Sequence, residues 1–121
     1  IKMPGPSHSV SDWYTAAHVF CLSSLWEGFP NAVAEAMAHG LPCVGFAGCA
    51  GVRDLITHEQ NGLLAEGNGG AQSLAKALET LMGSAEMRSS LGERAVHSIK
   101  PYSPDDIFDL WEQTLTRATK Y

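Results

Sequence analysis

Leu25-Trp26-Glu27-Gly28-Phe29-Pro30-Asn31, then Ala32-Val33-Ala34-Glu35-Ala36-Met37-Ala38-His39-Gly40, then Leu41-Pro42-Cys43-Val44, is the stretch whose reading decides the fold. The apolar run Val19-Phe20-Cys21-Leu22 just before it reads as a short buried strand. Gly28-Phe29-Pro30-Asn31 is a turn into a helix, with Asn31 as the expected N-cap. No glycine or proline follows until Gly40, a natural helix stop with Pro42 beyond it. Leu41 to Phe46 reads as the next strand. Strand, tight turn, helix and strand is the unit that builds parallel sheets, so the fold class is α/β.

The turn suits an anionic ligand. The first turn of a helix has backbone N–H groups without intrahelical acceptors, and its dipole adds partial positive charge. Gly28 has no Cβ and lets a ligand approach the chain closely. A phosphate there would be held mainly by the amides of Asn31 and Ala32, because Pro30 has no N–H. Glu27 would stand at the carboxyl end of the strand, where open α/β sheets bind ligands. Glu35 lies one turn into the helix, within reach of the same crevice if its face points there. A carboxylate accepts two hydrogen bonds readily, which fits the vicinal diol of a ribose or hexose.

Glu27-Gly28-Phe29-Pro30-Asn31 followed by Glu35-Ala36-Met37-Ala38-His39-Gly40-Leu41-Pro42 resembles the Glu-x7-Glu signature of retaining GT-B glycosyltransferases, family 4 in particular. Asn61-Gly62-Leu63-Leu64 and the final helices resemble the carboxyl-terminal tail of that family, so the resemblance covers nearly the whole chain. It implies a Rossmann-like parallel sheet flanked by helices, forming a partial carboxyl-terminal domain over residues 1–121 with terminal helices at about 71–118. It also implies a donor site for a nucleoside diphosphate sugar. In that site Glu27 is the catalytic-centre carboxylate on the sugar hydroxyls, Gly28 and Phe29 offer amides to the sugar, Asn31 and Ala32 hold the diphosphate, and Glu35 takes the ribose. Pro30 stands where many relatives carry glycine, which removes one amide.

Composition agrees with a globular domain: 45% of the 121 residues are hydrophobic and 17% charged. A net charge of −5 argues against a nucleic-acid surface, which needs a basic footprint. No apolar run approaches the roughly 20 residues that cross a bilayer, and the opening Ile1-Lys2-Met3-Pro4-Gly5-Pro6 has no signal-peptide pattern. Ile1 in place of an initiator methionine makes a piece of a longer protein the expectation. Cys21, Cys43 and Cys49 form no Cys-x-x-Cys pair; they are expected to be reduced thiols of an intracellular protein, the first two inside buried strands.

Elsewhere, residues 1–9 read as a loop, and Val10 to Ala17 as a short helix whose Trp13 belongs to the core. Gly45 to Gly51 lacks both the Rossmann spacing and a Gly-Lys-Ser/Thr, so it reads as a flexible loop before a short helix at 52–57; the resemblance implies a minor role for it in lining the donor cleft. Arg53 is expected to pair with Asp54 or Glu59 rather than to bind phosphate. A strand at 63–65, a loop at 66–70 and a helix at 71–82 follow, the helix carrying Leu74, Leu78, Leu81 and Met82 on one face. Ser84 caps a helix with a Met87, Leu91, Ala95 stripe. Ser103-Pro104-Asp105-Asp106 starts the last helix, whose stripe around Trp111 is expected to be partly exposed, because in the resembling family it reaches an amino-terminal domain.

The chain has no Asp-x-Asp and no histidines at ligand spacing, so neither a metal nor another cofactor is expected. His39 reads as a helix-end residue favoured by the dipole. The family's diphosphate-binding Arg and Lys do not occur before Glu27, where Lys2 is the single cation. The expected parent is therefore a retaining, metal-independent transferase of polysaccharide biosynthesis, moving a hexose to a carbohydrate or lipid-linked acceptor bound through an amino-terminal domain. It is expected in the cytoplasm or at the cytoplasmic membrane face, with peripheral membrane contact left open and this chain inactive alone. The alternatives are a non-catalytic nucleotide-sugar binding module and a GT-B enzyme of epimerase or phosphorylase type. The latter lacks a suitable buried lysine for pyridoxal phosphate here.

Overall fold

The computed structural model describes residues 1–67 and 69–119; Asn68, within the loop expected at 66–70, lies outside them, as do Lys120 and Tyr121. The elements run α1 (Val10–Ala16), β1 (Phe20–Cys21), α2 (Asn31–Ala38), β2 (Cys43–Phe46), α3 (Ala50–Leu55), β3 (Gly62–Ala65), α4 (Ala71–Gly83), α5 (Ala85–Ile99) and α6 (Pro104–Ala118). The strands form a parallel sheet in the order β1-β2-β3. Phe20 pairs with Cys43, and Val44 with Leu63. Helices cross between the strands, as parallel pairing demands. This is the α/β, Rossmann-like arrangement expected.

β2 is buried along its length. One of its faces meets Val33, Ala36 and Met37 of α2, Val52 and Leu55 of α3, and Tyr14 of α1. On the other, Val44 and Leu63 pack with Leu81 of α4 and Leu91 of α5. A parallel strand covered on both faces needs a continuous apolar run, and Cys43-Val44-Gly45-Phe46 is one. Cys43 and Cys49 are buried and Cys21 is exposed, which corrects the expectation for Cys21: β1 pairs only with β2 among the described residues.

α2 ends as glycine placement dictates. Gly40, at φ +74°, donates to Met37 O at 3.0 Å, and Leu41 N–H donates to Ala36 O at 3.0 Å, the paired bonds of a Schellman cap. That reversal lets α5 come close. A Cβ on Gly92 would strike the Gly40 carbonyl oxygen. Ser84 Oγ accepts from Met87 N–H at 3.1 Å and Ser103 Oγ from Asp106 N–H at 3.2 Å, the two caps the sequence implies.

Several side chains depart from expectation. Trp13 is 54% exposed and donates through Nε1 to Ser7 Oγ at 3.2 Å, so the core residue of α1 is Tyr14. In α4, Met82 points to solvent and Ala77 packs with Leu74, Leu78 and Leu81 instead. The polar side chain of Asn61 is buried. Its Oδ1 accepts from Thr57 N–H at 2.7 Å and its Nδ2 donates to Leu55 O at 3.0 Å, tying the end of α3 to the start of β3. α6 has no buried residue, and Trp111 is 61% exposed, as its stripe implied.

Replacing Gly92 by alanine forces a methyl group onto a backbone carbonyl that cannot swing away. The expected cost is about 1–3 kcal/mol of stability, typical of overpacking, measured as a lowered urea midpoint with an unchanged m-value.

Candidate functional site

β1 delivers the chain to the carboxyl end of the sheet, where the loop before α2 begins. Glu27 is half-buried there, and Gly28 and Phe29 are exposed. The loop is pinned from the side by the first turn of α3. Gly51 N–H donates to Glu27 O at 3.3 Å, and a Cβ on Gly51 would collide with the carbonyl oxygens of Glu27 and Gly28. α3 thus begins at Ala50, ahead of the expected residue 52, because the glycine-rich run lets helix and loop backbones touch. Beside this contact lies a hollow of about 330 Å³ lined by Trp26, Glu27, Gly28, Gly48 and Ala50. A second, of about 260 Å³, is bounded by Leu25, Trp26, Phe46, Gly48, Cys49 and two glycines, 67 and 69. Trp26, 88% exposed, forms the rim of both. The Phe29 ring leans on Tyr102, with centroids 5.4 Å apart.

The helix entrance differs from expectation by one residue. Pro30 is the N-cap and Asn31 the first helical residue, whose side chain caps nothing. Proline's fixed φ sets the turn, and its carbonyl accepts the first helical bonds from Val33 N–H at 2.9 Å and Ala34 N–H at 3.2 Å. Asn31 N–H is itself bonded to Phe29 O at 3.0 Å, so of the two amides expected to face a phosphate, Ala32's is the one without a backbone acceptor among the described residues.

Glu35 is exposed on the outer face of α2 and does not line the hollow at Glu27. The expectation of one crevice shared by both carboxylates is not what this hollow provides. Instead α1 meets Glu35. Tyr14 Oη donates to Glu35 Oε2 at 3.1 Å and lies 3.4 Å from Ala32 O. The Tyr14 ring packs on Phe20 and His39, with centroids 5.9 and 5.2 Å away. His39 sits at the C-cap, with Nδ1 3.2 Å from Glu35 O and Nε2 2.8 Å from Ser11 Oγ, a structural position at the helix end. Arg53 pairs with neither Asp54 nor Glu59; among the described residues Glu59 Oε1 instead lies 3.9 Å from His58 Nε2. No group of three or more metal-ligating side chains comes together among the described residues, and no helix there is long and apolar enough to cross a membrane.

Of the expected site residues, Glu27 and Gly28 line the hollow, and Phe29, Asn31, Ala32 and Glu35 do not. Sequence reasoning missed Tyr14 and Trp26; Gly48 and Gly51 lie in the Gly45–Gly51 loop expected to line the cleft.

Burial first, and then the bond to Glu35, push the Tyr14 hydroxyl up to about 12 from its ordinary 10.0. A group raised on folding contributes stability that is complete below pH 10 and is lost as pH climbs towards 12, because the unfolded chain ionises first. Urea melts of the native chain and of Tyr14→Phe should accordingly converge between pH 9 and pH 11.5. A stability difference that stays constant across that range would contradict this.

The glycosyl transferases group 1 family model matches residues 1–98. An uncharacterized glycosyltransferase of Haemophilus influenzae is 33% identical over 90% of this chain and 31% of its own length. The UDP-Gal:alpha-D-GlcNAc-diphosphoundecaprenol alpha-1,3-galactosyltransferase of Escherichia coli is 45% identical over 44% of this chain and 13% of its own length. The solved C-terminal domain of a glycosyl transferase group 1 family protein, LpcC from Francisella tularensis, superposes with a TM-score of 0.68 at 25% identity, covering 82% of this chain and 50% of that one. The chain spans less than a third of the length of the two curated relatives.

Proposed function

Because the chain belongs to the group 1 glycosyl transferases and has the fold of a carboxyl-terminal GT-B portion, we propose that it is the donor-binding part of a retaining, metal-independent hexosyltransferase. In this reading the full-length protein moves a hexose from a nucleoside diphosphate sugar to a carbohydrate or lipid-linked acceptor carried by an amino-terminal domain, at the cytoplasmic side of the membrane. The Escherichia coli relative, whose name specifies a UDP-sugar and a diphosphoundecaprenol-linked acceptor, supports that substrate class.

The observation that carries the reading is the hollow lined by Glu27 and Gly28, in the loop that leads into α2. A donor places a sugar ring and a ribose on either side of a diphosphate, so its two sets of hydroxyls need two carboxylates on either side of an anion site. Glu27 in the hollow would take hydroxyls of the sugar. Gly28 and Phe29, both exposed, would offer their amides to it. The Ala32 N–H and the helix dipole would face phosphate, with Asn31 beside them at the helix entrance. Glu35, one turn further, would hold the ribose. In this reading each residue contributes position and charge complementarity.

Binding of nucleoside diphosphates and their sugars to the full-length protein tests this. Glu35→Ala should weaken diphosphates and diphosphate sugars by a similar factor, about tenfold or more for a lost charged hydrogen bond. Glu27→Ala should weaken the sugar-bearing ligands more than the bare diphosphates. Equal losses from Glu27→Ala across both groups would refute the assignment.

A further inference from the structure

We propose that Tyr14 is a positioning residue for the Glu35 carboxylate, fixing one of its oxygens so that the remaining acceptor sites are presented to the ribose hydroxyls of a nucleotide. The inference rests on the reading of Glu35 as the ribose-binding carboxylate. A glutamate on the exposed face of a helix ordinarily samples several rotamers, and holding it in one of them costs conformational entropy each time a ligand binds. Here that freedom is already restricted. Tyr14 is the buried residue of α1, only 8% exposed, and its ring is wedged between Phe20 of β1 and His39 at the end of α2. From that fixed base its hydroxyl donates to Glu35 Oε2 at 3.1 Å. An ionised carboxylate has about four lone-pair sites, so one bond from tyrosine leaves room for a bidentate diol. Glu35 Oε1 has no hydrogen-bond partner among the described residues. The same base is braced a second time, since His39 Nε2 lies 2.8 Å from Ser11 Oγ and ties α1 to the far end of α2. α1 thereby holds the helix and its carboxylate together, and ligand binding meets a side chain already in place.

The test uses the full-length protein and the tightest binder among UDP, GDP and ADP, each compared with its 2′,3′-dideoxy counterpart. Tyr14→Phe keeps the ring and removes the hydroxyl. It should weaken the ribonucleotide by roughly two- to tenfold, the binding cost of immobilising a side chain that is no longer held in place, and leave the dideoxy ligand within about twofold. In a Glu35→Ala background, Tyr14→Phe should then change neither ligand further, the signature of one residue acting through another. If Tyr14→Phe weakens both ligands alike, or leaves the ribose preference intact while Glu35→Ala abolishes it, the positioning role is overturned and the ribose assignment stands. If Glu35→Ala itself leaves the ribose preference intact, the assignment of Glu35 falls and this inference falls with it. Thermal melts of each variant separate a loss of fold from a loss of preorganisation.

Discussion

The backbone of Gly51 rests against the carbonyls of Glu27 and Gly28, and the geometry of the site follows from that contact. Two stretches of main chain come within hydrogen-bonding distance with no side chain between them, which only a glycine on α3 permits. The contact fixes the direction in which the loop leaves β1, and hence the angle at which Pro30 turns the chain into α2. It also shapes the hollow, since Ala50 and Gly48 on one side face Glu27 and Gly28 on the other. A bulkier residue at position 51 would move the loop, and every group offered at the helix entrance would move with it.

The sheet beneath supplies a rigid base for this arrangement. β2 is the middle strand and is covered on both faces, so its register against β1 and β3 is held by apolar packing as well as by the ladder. Two further close approaches lock the helices onto it. Gly92 lets α5 reach the Gly40 turn at the end of α2, and Asn61 bonds the end of α3 to the strand that follows. Both are buried and leave no slack, as expected of groups that hold functional loops on a scaffold.

The two acidic side chains of the signature occupy different surroundings. Glu27 sits half-buried beside a hollow, and Glu35 lies on an open helix face under the hydroxyl of Tyr14. Spacing alone could not distinguish them. Which way a helical residue points depends on what packs against the helix, and α1 reaches Glu35 from well before it in the chain. For the same reason Tyr14, and not the expected Trp13, is the core residue of α1: adjacent aromatic residues compete for one buried position, and the contact with Phe20 and His39 gives it to tyrosine.

The sequence by itself determined the parallel α/β architecture, the caps of α5 and α6, the glycine stop of α2, the exposed stripe of α6 and the family to which the chain belongs. The first three rest on local chemistry (apolar runs bounded by turn residues, hydroxyls that cap helix starts, and a glycine that accepts a left-handed conformation), and the last two on the resemblance carried by the Glu27–Pro42 motif. Tertiary structure alone decided that Pro30 rather than Asn31 caps α2, that Asn31's amide is taken by Phe29, that Gly51 clamps the Glu27 loop, and that Tyr14 holds Glu35. Each of those is a contact whose strength depends on a partner the local sequence does not specify, because it arrives from another element only when the chain has packed.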